Sequence, residues 1–252
     1  MLVIQMLVSL SLLQDPKPAT TGDAQVKTAV HTLKAAFAGH DAAARQRAID
    51  AAATIADGEV VALIARGLAD ADVAVQHAAI EALRFQTHER ALAALHTRAL
   101  AREAKDDLAV YAALLRAIGQ HGSATSIDIL TDNPWSTPDA RVLQARILGL
   151  GRIHTPAAVK ALVGVMEIAG SNRVEPFMGD VRLALWALTG SDQGESRDLW
   201  LHWYRQRKDT LRVRSAPLAE PADLAGRWTS YWSSRERWDR DAAARPSRHR
   251  GR

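Results

Sequence analysis

The sequence predicts an all-α protein of antiparallel helix pairs stacked one after another, and three observations carry that reading. Alanine recurs throughout, and 48% of residues are hydrophobic while only 5% are aromatic. That composition suits closely packed helices and not a β-sandwich, which draws on Val, Ile, Thr and aromatics. Ala44, Val75, Val110, Val142 and Val181 recur at spacings of 31, 35, 32 and 39 residues, near the period of about 40 expected of a two-helix repeat. Three positions before the first four anchors stand Asp41, Asp72, Asp107 and Asp139. An Asp so placed accepts a hydrogen bond from the amide three residues on, and its charge suits a helix N-terminus.

The second helix of each pair is read from these anchors. Small or apolar residues follow at the next turn (Ala48, Ala78 and Ala79, Ala113 and Leu114, Ala145, Ala184 and Leu185) and at the turn after it (Ala51, Ala82 and Leu83, Ala117 and Ile118, Leu150, Leu188). This is one apolar helix face repeated five times. The fifth copy has Met178 where the others have the capping Asp. An apolar partner helix precedes each anchor, over 25–38, 59–69, 89–102, 123–131 and 156–168. Gly39, Gly58, Gly122 and Gly170 are expected between helices, where the chain reverses, and Pro138 and Pro156 in first turns, where a missing N–H is harmless.

Here the chain resembles a known family. Leu68–Leu83 (LADADVAVQHAAIEAL) is similar to the second helix of a bacterial HEAT repeat, and Asp180–Gly190 (DVRLALWALTG) repeats the pattern with Val181 and Arg182 in place. The resemblance covers roughly residues 24–208 and implies a right-handed α-solenoid of about five HEAT-like helix pairs. The Arg usual after the anchor appears only as Arg45 and Arg182, with Gln76, Tyr111 and Leu143 in the other copies. An Asp–Arg series between repeats is therefore expected to be incomplete. Leu188-Thr189-Gly190, Gly194, Trp200 and Trp203 resemble the closing segment of exported bacterial HEAT-repeat proteins. An end repeat must cover an open apolar face, and Trp200 and Trp203, one turn apart, are read as that cap.

Three regions follow: 1–22 as a signal peptide or an apolar N-terminal segment packed on the first repeat, with linker; 23–208 as the repeat domain; and 209–252 as a basic, Trp/Arg-rich tail. Met1–Leu13 carries no charged side chain. It is shorter than the roughly 20 residues of a membrane-spanning helix and suits the apolar core of a secretory signal, which predicts a periplasmic or secreted protein. No transmembrane span is expected. The charge is divided: residues 205–252 hold 13 Lys/Arg against 6 Asp/Glu, leaving 19 against 22 in the rest. Within the tail, Arg227, Trp228, Trp232, Arg235, Arg237, Trp238 and Arg240 interleave guanidinium groups with indoles. That pattern fits a helix docked on the solenoid, a segment for anionic surfaces or polymers, or a solvated end.

Catalysis has no visible seat. The absence of cysteine excludes disulfides, thiolate metal sites and cysteine nucleophiles. The nine histidines include no His-Glu-x-x-His, and His88 and His96 are eight residues apart, two helical turns rather than one; no metal site is expected. Asp70-Ala71-Asp72 resembles the opening of a calcium loop but lacks the remaining ligands and is read as a helix cap. No nucleophile elbow, phosphate loop or dinucleotide fingerprint occurs, so neither an enzyme nor a cofactor is expected.

The expected function is a non-catalytic scaffold that holds another protein. Helical geometry leaves Gln46, Asp50, His77, Glu81, Arg84, Arg116 and Gln144 outside the buried stripe of the second helices, and these are the expected partner contacts. The alternative is a cytoplasmic, nucleic-acid-associated protein, glycosylase-like, using the tail and a groove of Trp135, Trp186 and Trp200 with Arg182. The mildly acidic body argues against it, because nucleic-acid affinity rests on basic surface.

Overall fold

The computed structural model describes residues 21–169, 171–215 and 220–233; the apolar segment Met1–Leu13 and the residues Arg235, Arg237, Trp238 and Arg240 lie outside them. Among the described residues the protein is all-helical, with no strand. The helices are α1 (Thr21–Ala38), α2 (Ala42–Ala52), α3 (Gly58–Arg66), α4 (Val73–Arg84), α5 (Glu89–Leu100), α6 (Leu108–Gln120), α7 (Ile127–Thr131), α8 (Ala140–Leu150), α9 (Pro156–Ala169), α10 (Ser171–Val174), α11 (Met178–Thr189), α12 (Arg197–Arg207) and α13 (Arg227–Trp232). None of these is long and apolar enough to cross a membrane.

The four aspartates do cap helices. Asp41 accepts from the Ala43 amide at 2.9 Å, Asp72 from Ala74 at 2.8 Å, Asp107 from Ala109 at 2.8 Å and Asp139 from Arg141 at 2.8 Å. The shorter bond reaches the second residue on rather than the third; Asp72 and Asp107 also reach the third, at 3.3 and 3.1 Å. Further caps escape the sequence pattern, among them Ser196 of α12, which accepts from the Leu199 amide at 3.4 Å. Asp57 caps α3 through the Glu59 and Val60 amides, and His88 caps α5 through Nδ1. Gly58 is consequently the first residue of α3, not part of a turn before it. Pro156 opens α9 as expected, whereas Pro138 precedes the Asp139 cap and stands outside α8. α11 begins at Met178 with no side-chain cap and closes on Gly190 at φ 70°, a left-handed backbone that glycine adopts without strain.

Two successions of packed helices form the body. α2 lies on α4, α4 on α6, α6 on α8 and α8 on α11, while α1 lies on α3, α3 on α5, α5 on α7, α7 on α9 and α9 on α12. The shared core runs between them, from Leu33 and Ile49 through Val75, Val110, Val142 and Val181 to Trp200. Of the five anchors only Ala44 is partly exposed. The tightest approach joins α6 to α8: a Cβ on Gly119 would stand 2.6 Å from the Gly149 Cα, so backbone meets backbone there. Buried Arg146 of α8 donates to the Ile129 and Leu130 carbonyls at 2.7 and 3.0 Å and to the Tyr111 hydroxyl at 3.2 Å. It thereby satisfies the open C-terminal end of the short α7.

Trp200 and Trp203 are both buried on α12, their rings edge to face at 5.5 Å, and Trp200 donates to the Gly194 carbonyl at 2.9 Å. Arg45 pairs bidentately with Asp70, at 2.7 and 2.8 Å, tying α2 to the turn before α4. Gln76, at the arginine position of the next copy, instead donates to the Asp70 carbonyl at 2.6 Å. Arg182 pairs with Asp192 and with Asp223 of the C-terminal segment.

Candidate partner-binding face

α2, α4, α6, α8 and α11 share one face, and the chain lays its own segment 220–233 across part of it. At the near end the segment is shaped from within and held by three contacts to the body. Glu220 accepts from the Trp228 and Thr229 amides at 3.2 and 3.4 Å, supplying the cap that a helix start needs. Arg182 pairs with Asp223, Leu224 is buried, and Arg227 donates to Asp180 at 3.1 Å. Trp228, Tyr231 and Trp232 then pack with Leu148 of α8 and with Leu183, Trp186 and Ala187 of α11 in an apolar cluster separate from the main core. Trp232 meets both neighbouring rings edge to face, Trp228 at 5.7 Å and Tyr231 at 4.9 Å.

Arginines hold the far end. Arg84 of α4 donates to the Trp232 carbonyl at 2.8 Å, and Arg116 of α6 to the Ser233 carbonyl at 2.9 Å. Arg84 also meets Glu81 at 3.2 Å and the Gln120 side-chain oxygen at 3.3 Å. Arg152, in the turn after α8, lies 5.2 Å from the Trp232 ring centroid, and Arg116 lies 5.3 Å from that of Tyr231. Guanidinium over an aromatic face is attractive, more so where water is excluded.

Burial dominates the electrostatics. It lowers the pKa of Arg84 against the opposing pull of Glu81. It lowers Arg152 as well, where the neighbouring Arg84 charge adds to the effect. Asp180 is pushed above the usual carboxylate range by burial, a shift that hydrogen bonds from Gln144 and Arg227 partly offset. The Tyr231 hydroxyl is also pushed up by burial.

Beside Tyr231 the face opens into a cleft of about 310 Å³ between α4, α6 and α8, whose lining includes His77, Glu81, Ala109, Arg116 and Gln144. The structure thus brings together four of the expected contact residues, His77, Glu81, Arg116 and Gln144. Gln46 and Asp50 stand apart on α2, half-buried and exposed respectively. Arg84 departs from the expectation: it is 2% exposed, because α13 covers it and uses it. Gln144 also turns partly inward, donating to both Asp180 oxygens at 3.2 Å.

Of the tail residues, Arg227, Trp228 and Trp232 fall within the described structure, with both indoles buried against the body. Trp135, Trp186 and Trp200 do not share a groove. Trp135 packs edge to face on Phe177 and donates to the Val165 carbonyl, Trp186 lies under α13, and Trp200 is in the core beside α9. Among the described residues no three His, Asp or Glu side chains converge on a metal-sized site.

Sequence reasoning missed Arg152, Asp180, Glu220 and Asp223. The cue for the covering segment lay in Leu148, Leu183 and Ala187, which occupy on the last two second helices the outward positions held by polar residues on earlier ones. No protein-family model matches the chain, and no curated protein matches it either.

Proposed function

We propose that the chain is a HEAT-like, right-handed α-solenoid of about five helix pairs, closed by the tryptophan-bearing α12, and that it serves as an exported, non-catalytic scaffold holding another protein. Support for the solenoid comes from the two successions of helices, each helix packed on the next of its own row. Support for the scaffold comes above all from the face of α4, α6 and α8. That face grips a peptide segment of the same chain, using an aromatic cluster at one end and arginine-to-carbonyl bonds at the other, and it leaves a cleft alongside. A surface that binds backbone carbonyls and indoles in this way has the chemistry of peptide recognition. Repeat proteins of this kind lend their inner helix face to partners.

Crosslinked capture from the source organism tests the reading, with the full chain beside a His77→Ala/Gln144→Ala variant. The variant is expected to lose one specific protein that the full chain retains. Equal capture by both would contradict a partner site at the cleft. The amino-terminal residue of the native protein tests export: a start near Asp23 is expected, and a native protein that retains Met1–Leu13 would count against a cleaved signal.

A further inference from the structure

Five cationic side chains stand exposed at the closing end of the body. Arg205 and Arg207 lie in the last turn of α12 and Lys208 follows them, while Arg212 and Arg214 lie on the segment beyond. That segment is fixed in place: Leu211 and Val213 pack on the main core, the Arg214 amide donates to the Leu188 carbonyl at 2.8 Å, and His154 meets the Arg214 carbonyl through Nδ1. Apolar side chains point inward at alternate positions, and the two guanidinium groups between them are exposed. None of the five cations forms an ion pair among the described residues. Asp209 is the one carboxylate within 205–214; Asp198, earlier on α12, pairs with Arg197. The chain that follows does not cancel the charge. Ala216, Pro217, Leu218 and Ala219 bring none, and residues 234–252 hold seven Lys/Arg against three Asp/Glu.

A helix C-terminus favours nearby cations, but it offers only about half a negative charge, a fraction of what five side chains bring. Two observations point to the kind of anion that meets them. Trp200 and Trp203 are buried, so α12 presents no indole on which a nucleic-acid base could stack. Leu199 of α12 and Ile168 of α9, two helices packed on each other at this end, are 54% and 74% exposed; a lipid headgroup layer takes up such apolar side chains, and a phosphate backbone does not. We propose that the closing end of the body docks on a bilayer rich in anionic phospholipid, with Arg205, Arg207, Lys208, Arg212 and Arg214 against the headgroup phosphates. The cleft between α4, α6 and α8 is no part of this surface, so the proposal stands apart from the scaffold reading.

The test is sedimentation of the full chain with vesicles of phosphatidylcholine alone and with about 30% phosphatidylglycerol added. Tighter binding to the anionic vesicles is expected, weakened at least about tenfold between about 0.05 and 0.5 M salt. A Lys or Arg near such a surface strengthens binding about fivefold, so full-length Arg212→Gln/Arg214→Gln should bind the anionic vesicles about twentyfold more weakly. Arg205→Gln/Arg207→Gln should show a loss of the same size. Lys27→Gln/Lys160→Gln removes equal charge from exposed positions on α1 and α9 and should change binding by less than about twofold.

Equal losses in the lysine and arginine variants would show attraction by net charge alone and overturn the site. Unchanged vesicle binding in both arginine variants would overturn it as well. The Arg214 backbone bonds survive substitution of its side chain; should that variant nonetheless unfold by circular dichroism, the α12 pair decides the outcome alone. A single-stranded oligonucleotide that binds the full chain more tightly than the anionic vesicles do, and is lost in the same arginine variants, would give the surface to nucleic acid and overturn the lipid assignment.

Discussion

Arg84 donates to the Trp232 carbonyl at 2.8 Å across 148 residues of sequence. This bond links the middle of the helical body to the end of its described chain, and it decides what the shared face of the second helices can do.

Replacing Arg84 with Met keeps much of the stem while removing the bonds to Trp232, Gln120 and Glu81. Hydrogen bonds to charged groups contribute about 1.5–3 kcal/mol, so the segment should open about tenfold to a hundredfold more often. Amide exchange read by mass spectrometry should therefore speed up across 227–233 and stay unchanged in α2. Unchanged exchange in 227–233 would show that the aromatic cluster alone holds the segment.

Two glycines should respond with opposite sign. Gly119→Ala forces a methyl into the Gly149 backbone and close to Trp232, at 3.1 Å from the ring; overpacking of this kind costs about 1–3 kcal/mol. Gly164 lies within α9 with nothing within 4 Å of an added Cβ, so Gly164→Ala should stabilise by about 0.5–1 kcal/mol. Denaturant midpoints of the two variants check both signs.

The capping aspartates should be separable from the charge they carry. Asp72→Ala and Asp107→Ala each remove a side-chain acceptor from a helix start and should cost about 1 kcal/mol, while Asp72→Asn keeps the acceptor and should cost less. Thermal unfolding of the three variants distinguishes a hydrogen-bonding cap from a purely electrostatic one.

Stability should fall between pH 7 and pH 5 through two histidines. His121 donates to the Leu83 carbonyl at 3.0 Å and His96 pairs with Ser126 at 2.9 Å, and burial lowers both pKa values from the ordinary 6.5. With the folded pKa depressed, the unfolded chain binds protons first, so stability present above about pH 6.5 declines as pH falls through that window. Asp180, its pKa raised, works in the other direction as it gains a proton. His121→Gln should flatten the decline measured by chemical unfolding at the two pH values; an unchanged slope would remove His121 as its cause.

Much of this architecture was legible because a repeated helix states its buried face several times. Val75, Val110, Val142 and Val181 are all buried, and the aspartates three residues before the first three of these cap their helices. Asp57 and His88 were not legible as caps, since each serves a first helix, where no anchor spacing marks the position. The face itself was only half legible. His77, Glu81, Arg116 and Gln144 were placed on it by helical geometry, which says which way a side chain leaves its helix. It does not say what returns to cover that side chain, and so Arg84 was expected in solvent. Pairing residues 220–233 with α4 is a long-range contact with no periodic signal. Its trace was the apolar Leu148, Leu183 and Ala187 where polar residues were due.

The most direct test of the binding face is site-specific photocrosslinking in the source organism, from a reactive residue at position 77 in the cleft and, separately, at exposed position 160 on α9. A discrete protein adduct from position 77 that is absent from position 160 is the expected result. Adducts from position 160 alone would place the partner on the opposite row of helices and contradict the account.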